Sequence, residues 1–171
     1  AAIVPSVVNI TYVGLIRTFS AMMRERGYQV MLTESGFCPD EEERLVRIAL
    51  AHRPEGILLT GTQHSTACRQ MLTASGVAVV EVWDLTDRPI DVCVGFSHEH
   101  AGRASARHML ARGYRHFAVV SVDDGRALLR NRAFVRELAA HGASCHGEAV
   151  LQGLPSIRSG RAAFAQLGAL P

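Results

Sequence analysis

Along the chain, helical stretches that are apolar on one side alternate with short runs that are apolar throughout. These runs are rich in valine, isoleucine and leucine, which is typical of strands buried on both faces of a parallel sheet. Four glycines stand just past helical patterns, where a left-handed residue commonly ends a helix: Gly27, Gly76, Gly113 and Gly142. The strands that follow the first three are predicted at 30–32, 77–82 and 117–120, with others at 56–59, 92–96 and 145–150.

The helices predicted between these strands carry recognisable start signals. Asp40 with Glu43 three residues later resembles a capping pair, and Ser97 can cap a helix that runs to about Arg112. The repeated strand–helix order predicts a doubly wound α/β fold with right-handed crossovers. We expect one complete lobe at 1–113 and the beginning of a second, incomplete lobe at 114–171.

Composition excludes several classes of protein. Hydrophobic residues make up 48% of the 171 residues and charged residues 20%, which is ordinary for a soluble globular protein. No apolar run approaches the roughly 20 residues that span a bilayer, and no signal peptide opens the chain. The net charge is +2 and the arginines are spread out, so the chain lacks the basic patch of a nucleic-acid-binding surface.

The four cysteines and eight histidines show no metal-binding spacing. There is no C-x-x-C pair and no H-E-x-x-H pattern, so we expect no metal and no other cofactor. Widely spaced cysteines also fit a reduced, cytoplasmic setting.

Polar residues follow the predicted strands at their carboxyl ends, which is where open parallel sheets bind ligands. Hydroxyls, amides and one indole dominate this set, and such groups suit a small polyhydroxylated ligand. No nucleophile elbow, phosphate-binding loop or dinucleotide-binding glycine motif is present. Asp123 and Asp124 could form an acid/base pair, but adjacent loop residues point in different directions and a turn or helix cap is favoured. The pattern therefore predicts a binding module and not an enzyme.

Several motifs resemble the effector domains of LacI/GalR-type bacterial regulators. The resemblance rests on the opening Pro5–Tyr12, on Arg26–Leu32 and Pro54–Leu59, on Val94–Gly102 and Ala106–Arg115, and on Arg130–Phe134. Ile10-Thr11 replaces the family's usual Pro-Phe, and Ala133 replaces a usual glycine. Thr60–Ser65 together with Val82–Leu85 is similar to gluconate-repressor-type members.

The resemblance implies a periplasmic-binding-protein-like domain that binds a sugar or sugar acid, with a gluconate-like compound as one candidate, in the cleft between two lobes. It implies a cytoplasmic homodimer that reaches operator DNA through a helix-turn-helix headpiece, which we expect to precede this chain. The effector would shift the relative orientation of the lobes and so control DNA binding. The expected effector-binding residues are Asn9, Tyr12, Thr60, Thr62, Trp83, Ser97 and Arg130.

The alternatives to this interpretation are a periplasmic sugar-binding protein, a response-regulator receiver and an enzyme with this fold. A periplasmic sugar-binding protein of a transporter shares the fold and would need a secretion signal. A response-regulator receiver would need an early acidic pair after the first strand, which is missing.

Arg130 is expected to bind an acidic sugar through two parallel hydrogen bonds from its guanidinium group. The alternative for Arg130 is an ordinary solvated arginine on a helix.

Overall fold

A computed structural model describes residues 1–153 and 156–168 of the chain. The chain divides into two compact units, unit 1 from Ala1 to Gly95 and unit 2 from Phe96 onward. This division lies earlier than the boundary expected after Gly113. The difference arises because the helix at His98–Ala111 packs along the helix at Gly125–Ala140 and so belongs with the second unit.

Unit 1 is built on one sheet of five parallel strands with three helices. Its elements are β1 Ala2–Val4, α1 Ile10–Glu25, β2 Leu32–Glu34, α2 Pro39–Ala51, β3 Gly56–Thr60, α3 Thr66–Ser75, β4 Ala78–Val82 and β5 Val92–Val94. The strand order is β2-β1-β3-β4-β5 and every pairing is parallel, which confirms the predicted doubly wound α/β fold.

Side chains that alternate along the strands cover both faces of this sheet. On one face Ile3, Leu59 and Val79 pack with residues of α2 and α3. On the other face Ala2 and Leu58 pack with the apolar side of α1. Burial on both faces explains why the central strands β1 and β3 are largely apolar instead of alternating with polar residues.

Two predicted boundaries in unit 1 differ from the structure. The second strand was expected at 30–32 but begins at Leu32, because the turn that ends α1 extends to Tyr28, whose N–H bonds to the Met23 carbonyl at 2.9 Å. The predicted Asp40 cap is wrong: α2 starts at Pro39, with Cys38 as a cap that makes no side-chain hydrogen bond. Proline is well suited to this first position because its missing N–H would have no partner there.

Unit 2 contains α4 His98–Ala111, β6 Phe117–Val122, α5 Gly125–Ala140, β7 Cys145–Leu151 and α6 Ile157–Gly168. The two strands pair in parallel. Helices α4 and α5 cross closely at Gly102, where an added Cβ would overlap the Arg130 carbonyl oxygen. Phe117, Phe134 and Leu138 form the core beneath this crossing.

Candidate functional site

The carboxyl ends of β1, β3 and β4 bring five of the predicted binding residues into one region of unit 1. The chain leaves β1 towards β2 on one side, while β3 pairs with β1 on the other. Such a reversal of strand order opens the crevice in which α/β sheets bind ligands. The five residues are Asn9, Tyr12, Thr60, Thr62 and Trp83.

Tyr12 lies between two other aromatic rings at this edge. Its ring meets Trp83 edge-on at a centroid distance of 6.0 Å, and it meets Phe37 at 6.4 Å. Both neighbours have left-handed backbone conformations, with φ of +71° at Trp83 and +61° at Phe37. Non-glycine residues rarely adopt that conformation, and such strain is concentrated at functional sites. The three rings form a wall that suits the C–H face of a sugar.

The hydroxyls near this wall are held by hydrogen bonds within the protein. Thr62 donates to the buried carboxylate of Asp84 at 3.2 Å, and Asp84 also accepts from the Leu85 N–H at 2.8 Å. Thr60 is buried and donates to the Ile3 carbonyl at 3.4 Å. A ligand hydroxyl could use the remaining acceptor capacity of either threonine.

The segment after β4, which contains Trp83 and Asp84, passes close to the chain after β5. This approach is possible because Gly95 lacks a side chain. A Cβ at Gly95 would overlap the backbone of Asp84. The Trp83 N–H donates to the Val94 carbonyl at 3.2 Å, which ties the two segments together. Both contacts position the indole and the Asp84 carboxylate.

Two expected binding residues also begin helices. Asn9 caps α1 by accepting from the Thr11 N–H at 3.0 Å, and Ser97 caps α4 by accepting from the His100 N–H at 3.1 Å. A capping oxygen satisfies one of the amide donors that every helix start exposes. Asp124 does the same for α5 through the Ala127 N–H at 3.2 Å, so its predicted role as a helix cap is confirmed.

In unit 2, Arg130 is partly buried and contacts His98. The guanidinium Nη1 lies 2.8 Å from Nδ1 of His98, whose residue is only 4% exposed. Because arginine has only donors, Nδ1 must accept and the ring proton must sit on Nε2. The buried neutral imidazole of His98 thus fixes the direction of the Arg130 guanidinium through Nη1, so Arg130 is not an ordinary solvated arginine.

Three residues near these sites were not among the expected binding residues. Phe37 and Asp84 complete the aromatic wall and the threonine network in unit 1, and His98 orients Arg130 in unit 2. The left-handed conformation of Phe37 leaves no sequence signal. His98 directly follows the predicted cap Ser97, but nothing in its position marks it as a partner of a residue 32 positions away.

A parallel α/β sheet with polar and aromatic groups at its carboxyl edge is an arrangement in which α/β domains bind small molecules. The sequence matches the family described as "Periplasmic binding proteins and sugar binding domain of LacI family" over residues 1–169. The chain therefore belongs to this family.

Named relatives and solved structures agree with that assignment. The chain is 37% identical to the HTH-type transcriptional regulator GntR of Pseudomonas aeruginosa, over 98% of this chain and 49% of that protein. It superposes on the transcription regulator GntR of Chromobacterium violaceum with a TM-score of 0.88 at 28% identity, covering 99% of this chain and 64% of that one. A LacI family transcriptional regulator of Silicibacter pomeroyi gives 0.88 at 28% identity, covering 97% and 63%.

The chain thus spans about half the length of the curated relatives it matches. No helix in the part of the chain that the structure describes is long and apolar enough to cross a membrane.

Proposed function

We propose that this chain is the effector-sensing part of a bacterial transcriptional repressor and that its effector is a small sugar acid. The proposal rests on the orientation of Arg130, a partly buried cation. Its guanidinium Nη1 lies 2.8 Å from Nδ1 of His98, and this hydrogen bond fixes the direction of the side chain. A planar fork of donors with a fixed direction suits a carboxylate, which can accept two parallel hydrogen bonds. A neutral sugar has no carboxylate, so it would bind such a cation more weakly.

The carboxyl edge of the sheet in unit 1 has aromatic rings and hydroxyl groups that suit the remainder of a sugar acid. We propose that the Tyr12 and Trp83 rings pack on the apolar side of the ligand, and that Thr60 and Thr62 bind its hydroxyls. Asn9 and Ser97 would act mainly through the helix starts that they cap. Most ligand sites combine apolar walls with a small number of well-placed polar groups.

We further propose that the whole protein is a cytoplasmic homodimer that binds operator DNA through a helix-turn-helix, and that the effector controls this binding. The similarity to HTH-type transcriptional regulators supports this proposal. A near-complete switch would need the effector to prefer one conformation by about 10⁴-fold, or about 5.5 kcal/mol. The transporter-linked sugar-binding protein is the alternative within the same family.

Titration calorimetry on the full-length protein with gluconate, glucose and sorbitol tests the ligand class. We expect gluconate to bind at least ten-fold more tightly than either neutral compound. Equal affinity for gluconate and sorbitol would contradict the carboxylate proposal. A mobility shift on DNA upstream of the protein's own coding sequence then separates repressor from transport protein, since only a repressor binds DNA and responds to effector.

A further inference from the structure

A buried cluster of metal-binding side chains lies between α2 and α3, outside the site described above. Glu42 comes from the first turn of α2, His64 from the loop after β3, and Cys68 from the first turn of α3. One donor atom from each residue lies within 4.8 Å of the other two. A carboxylate oxygen, an imidazole nitrogen and a sulfur are the ligand types that zinc takes in proteins.

Two polar atoms beside this cluster are buried without a hydrogen-bond partner. They are Nε2 of His64 and Oε1 of Glu81, which face each other at 3.4 Å. The side chains of both residues are almost completely buried, at 1% and 0% exposure. Buried polar atoms are nearly always satisfied, so this pair indicates that a proton or a cation is needed here.

The geometry around the two ring nitrogens of His64 shows why one of these atoms is left without a partner. Its Nδ1 lies 2.6 Å from Oε1 of Glu42. A neutral ring with its proton on Nδ1 would donate to Glu42 and turn a bare Nε2 towards the Glu81 carboxylate, so that two acceptors would face each other. If a metal ion binds Nδ1 instead, the ring proton moves to Nε2 and donates to Glu81.

We propose that Glu42, His64 and Cys68 form a zinc-binding site, with Glu81 as the hydrogen-bond acceptor behind His64. A carboxylate behind a ligating histidine is a common arrangement, since it orients the ring and makes it a stronger ligand. The ion would take the place of the proton between Glu42 and Nδ1, and the Cys68 thiol would lose its proton to solvent as it binds. A water molecule would complete four-coordination.

Charge and local geometry both favour a cation at this position. Glu81 has Nη1 of Arg69 at 3.6 Å and Glu43 has Nη2 of Arg47 at 3.0 Å, which leaves the Glu42 carboxylate facing the imidazole of His64. Ser65 accepts from the Cys68 N–H at 3.0 Å and donates to Glu43 at 2.8 Å, which fixes the start of α3 against α2. Zinc bonds of about 2.0–2.3 Å place tetrahedral ligands roughly 3.2–3.8 Å apart. Oε1 of Glu42 and Nδ1 of His64, which lie 2.6 Å apart, would therefore separate by roughly 1 Å to admit the ion.

The proposal revises the expectation of no metal site, which rested on spacing along the sequence. His64 and Cys68 are four residues apart and Glu42 lies 22 residues before His64, a pattern that matches no common motif. The fold brings the three together because α2 and α3 pack side by side on the same face of the sheet.

Cobalt substitution on the full-length protein, purified without a histidine tag and stripped with a chelator, tests the site. We expect one equivalent of Co²⁺ to give a thiolate-to-cobalt charge-transfer band that Zn²⁺ abolishes by displacement. Cys68→Ser should remove the band, whereas Cys38→Ser, a control at an exposed free cysteine, should retain it.

A second pair of variants keeps the test decisive if Cys68→Ser does not fold. Glu42→Gln should weaken Zn²⁺ binding at least ten-fold in a competition assay, and Glu41→Gln, a partly exposed neighbour paired with Arg44, should leave it unchanged. No stoichiometric zinc or cobalt in the stripped and reloaded wild type would overturn the proposal. A band that persists in Cys68→Ser, or equal affinity in the Glu42 and Glu41 variants, would overturn it as well.

Discussion

The Arg130 guanidinium donates to Nδ1 of the buried His98 at 2.8 Å, across the packed helices α5 and α4. This bond makes His98 a positioning residue for the cation that we propose binds the effector. Replacing His98 with alanine should lower affinity for gluconate about five- to ten-fold, since a neighbouring hydrogen bond to a charged group contributes about 1–1.5 kcal/mol.

Calorimetric titration of His98→Ala beside His100→Ala checks this role. His100 is exposed on the same helix, so its removal controls for the loss of a histidine from α4. If the variants bind gluconate equally well, His98 does not position Arg130 for the ligand.

A second prediction concerns the closest contact between α4 and α5. Gly102→Ala places a methyl group against the Arg130 carbonyl, and we expect it to destabilise the protein by about 1–3 kcal/mol. Gly14→Ala is the matched control in α1, where a Cβ would meet nothing within 4 Å. That change should stabilise by about 0.5–1 kcal/mol, because alanine is the better helix former. Urea unfolding of both variants measures the difference, and a shift of the same sign in both would contradict the packing account.

The Thr62–Asp84 hydrogen bond of 3.2 Å gives a third prediction, in unit 1. Thr62→Val keeps the shape but leaves the buried Asp84 carboxylate with one donor fewer, and should cost about 1–2 kcal/mol of stability. Thr73→Val, at an exposed position on α3, controls for the loss of a hydroxyl and should change stability far less. Equal unfolding midpoints for the two variants would show that the bond contributes nothing.

Acid sensitivity follows from Glu137 in unit 2. The hydrogen bond from Nε of Arg107, at 2.6 Å, lowers the pKa of this carboxyl below its usual value of 4.5. Because the folded pKa lies below the unfolded one, the stabilisation is present above pH 4.5 and is lost as the pH falls through the folded pKa. Glu137→Gln should therefore melt at a lower temperature than wild type at pH 7, with a gap that narrows below pH 4.5.

Melting curves between pH 3 and pH 7, with Glu148→Gln as an exposed control in β7, test that dependence. A gap between wild type and Glu137→Gln that stays constant over this range would contradict the ion pair's contribution.

The fold could be predicted because short apolar strands, above all β1 and β3, alternate with helices through most of unit 1, a pattern that fits few architectures. The sequence was also sufficient for the capping roles of Ser97 and Asp124, which are local. The start of α2 was misplaced because Asp40 and Glu43 resemble a capping pair, while Pro39 had already fixed the first turn.

The sites were less predictable because their contacts are distant in the sequence. Tyr12 and Trp83 are in contact although most of the unit 1 sequence separates them, and His98 contacts Arg130, which lies 32 positions later in the sequence. The division into two compact units before α4 could not be predicted from the sequence for a similar reason: it depends on how closely Gly102 lets α4 approach α5, which no single-sequence pattern measures.

The central claim is that Arg130 binds the carboxylate of a sugar acid. Calorimetric titration of gluconate into wild type, Arg130→Ala and the exposed α5 control Arg132→Ala tests it most directly. We predict that Arg130→Ala loses about ten- to a hundred-fold in affinity, or roughly 1.5–3 kcal/mol, while Arg132→Ala binds like wild type. Unchanged gluconate affinity in Arg130→Ala would contradict the claim.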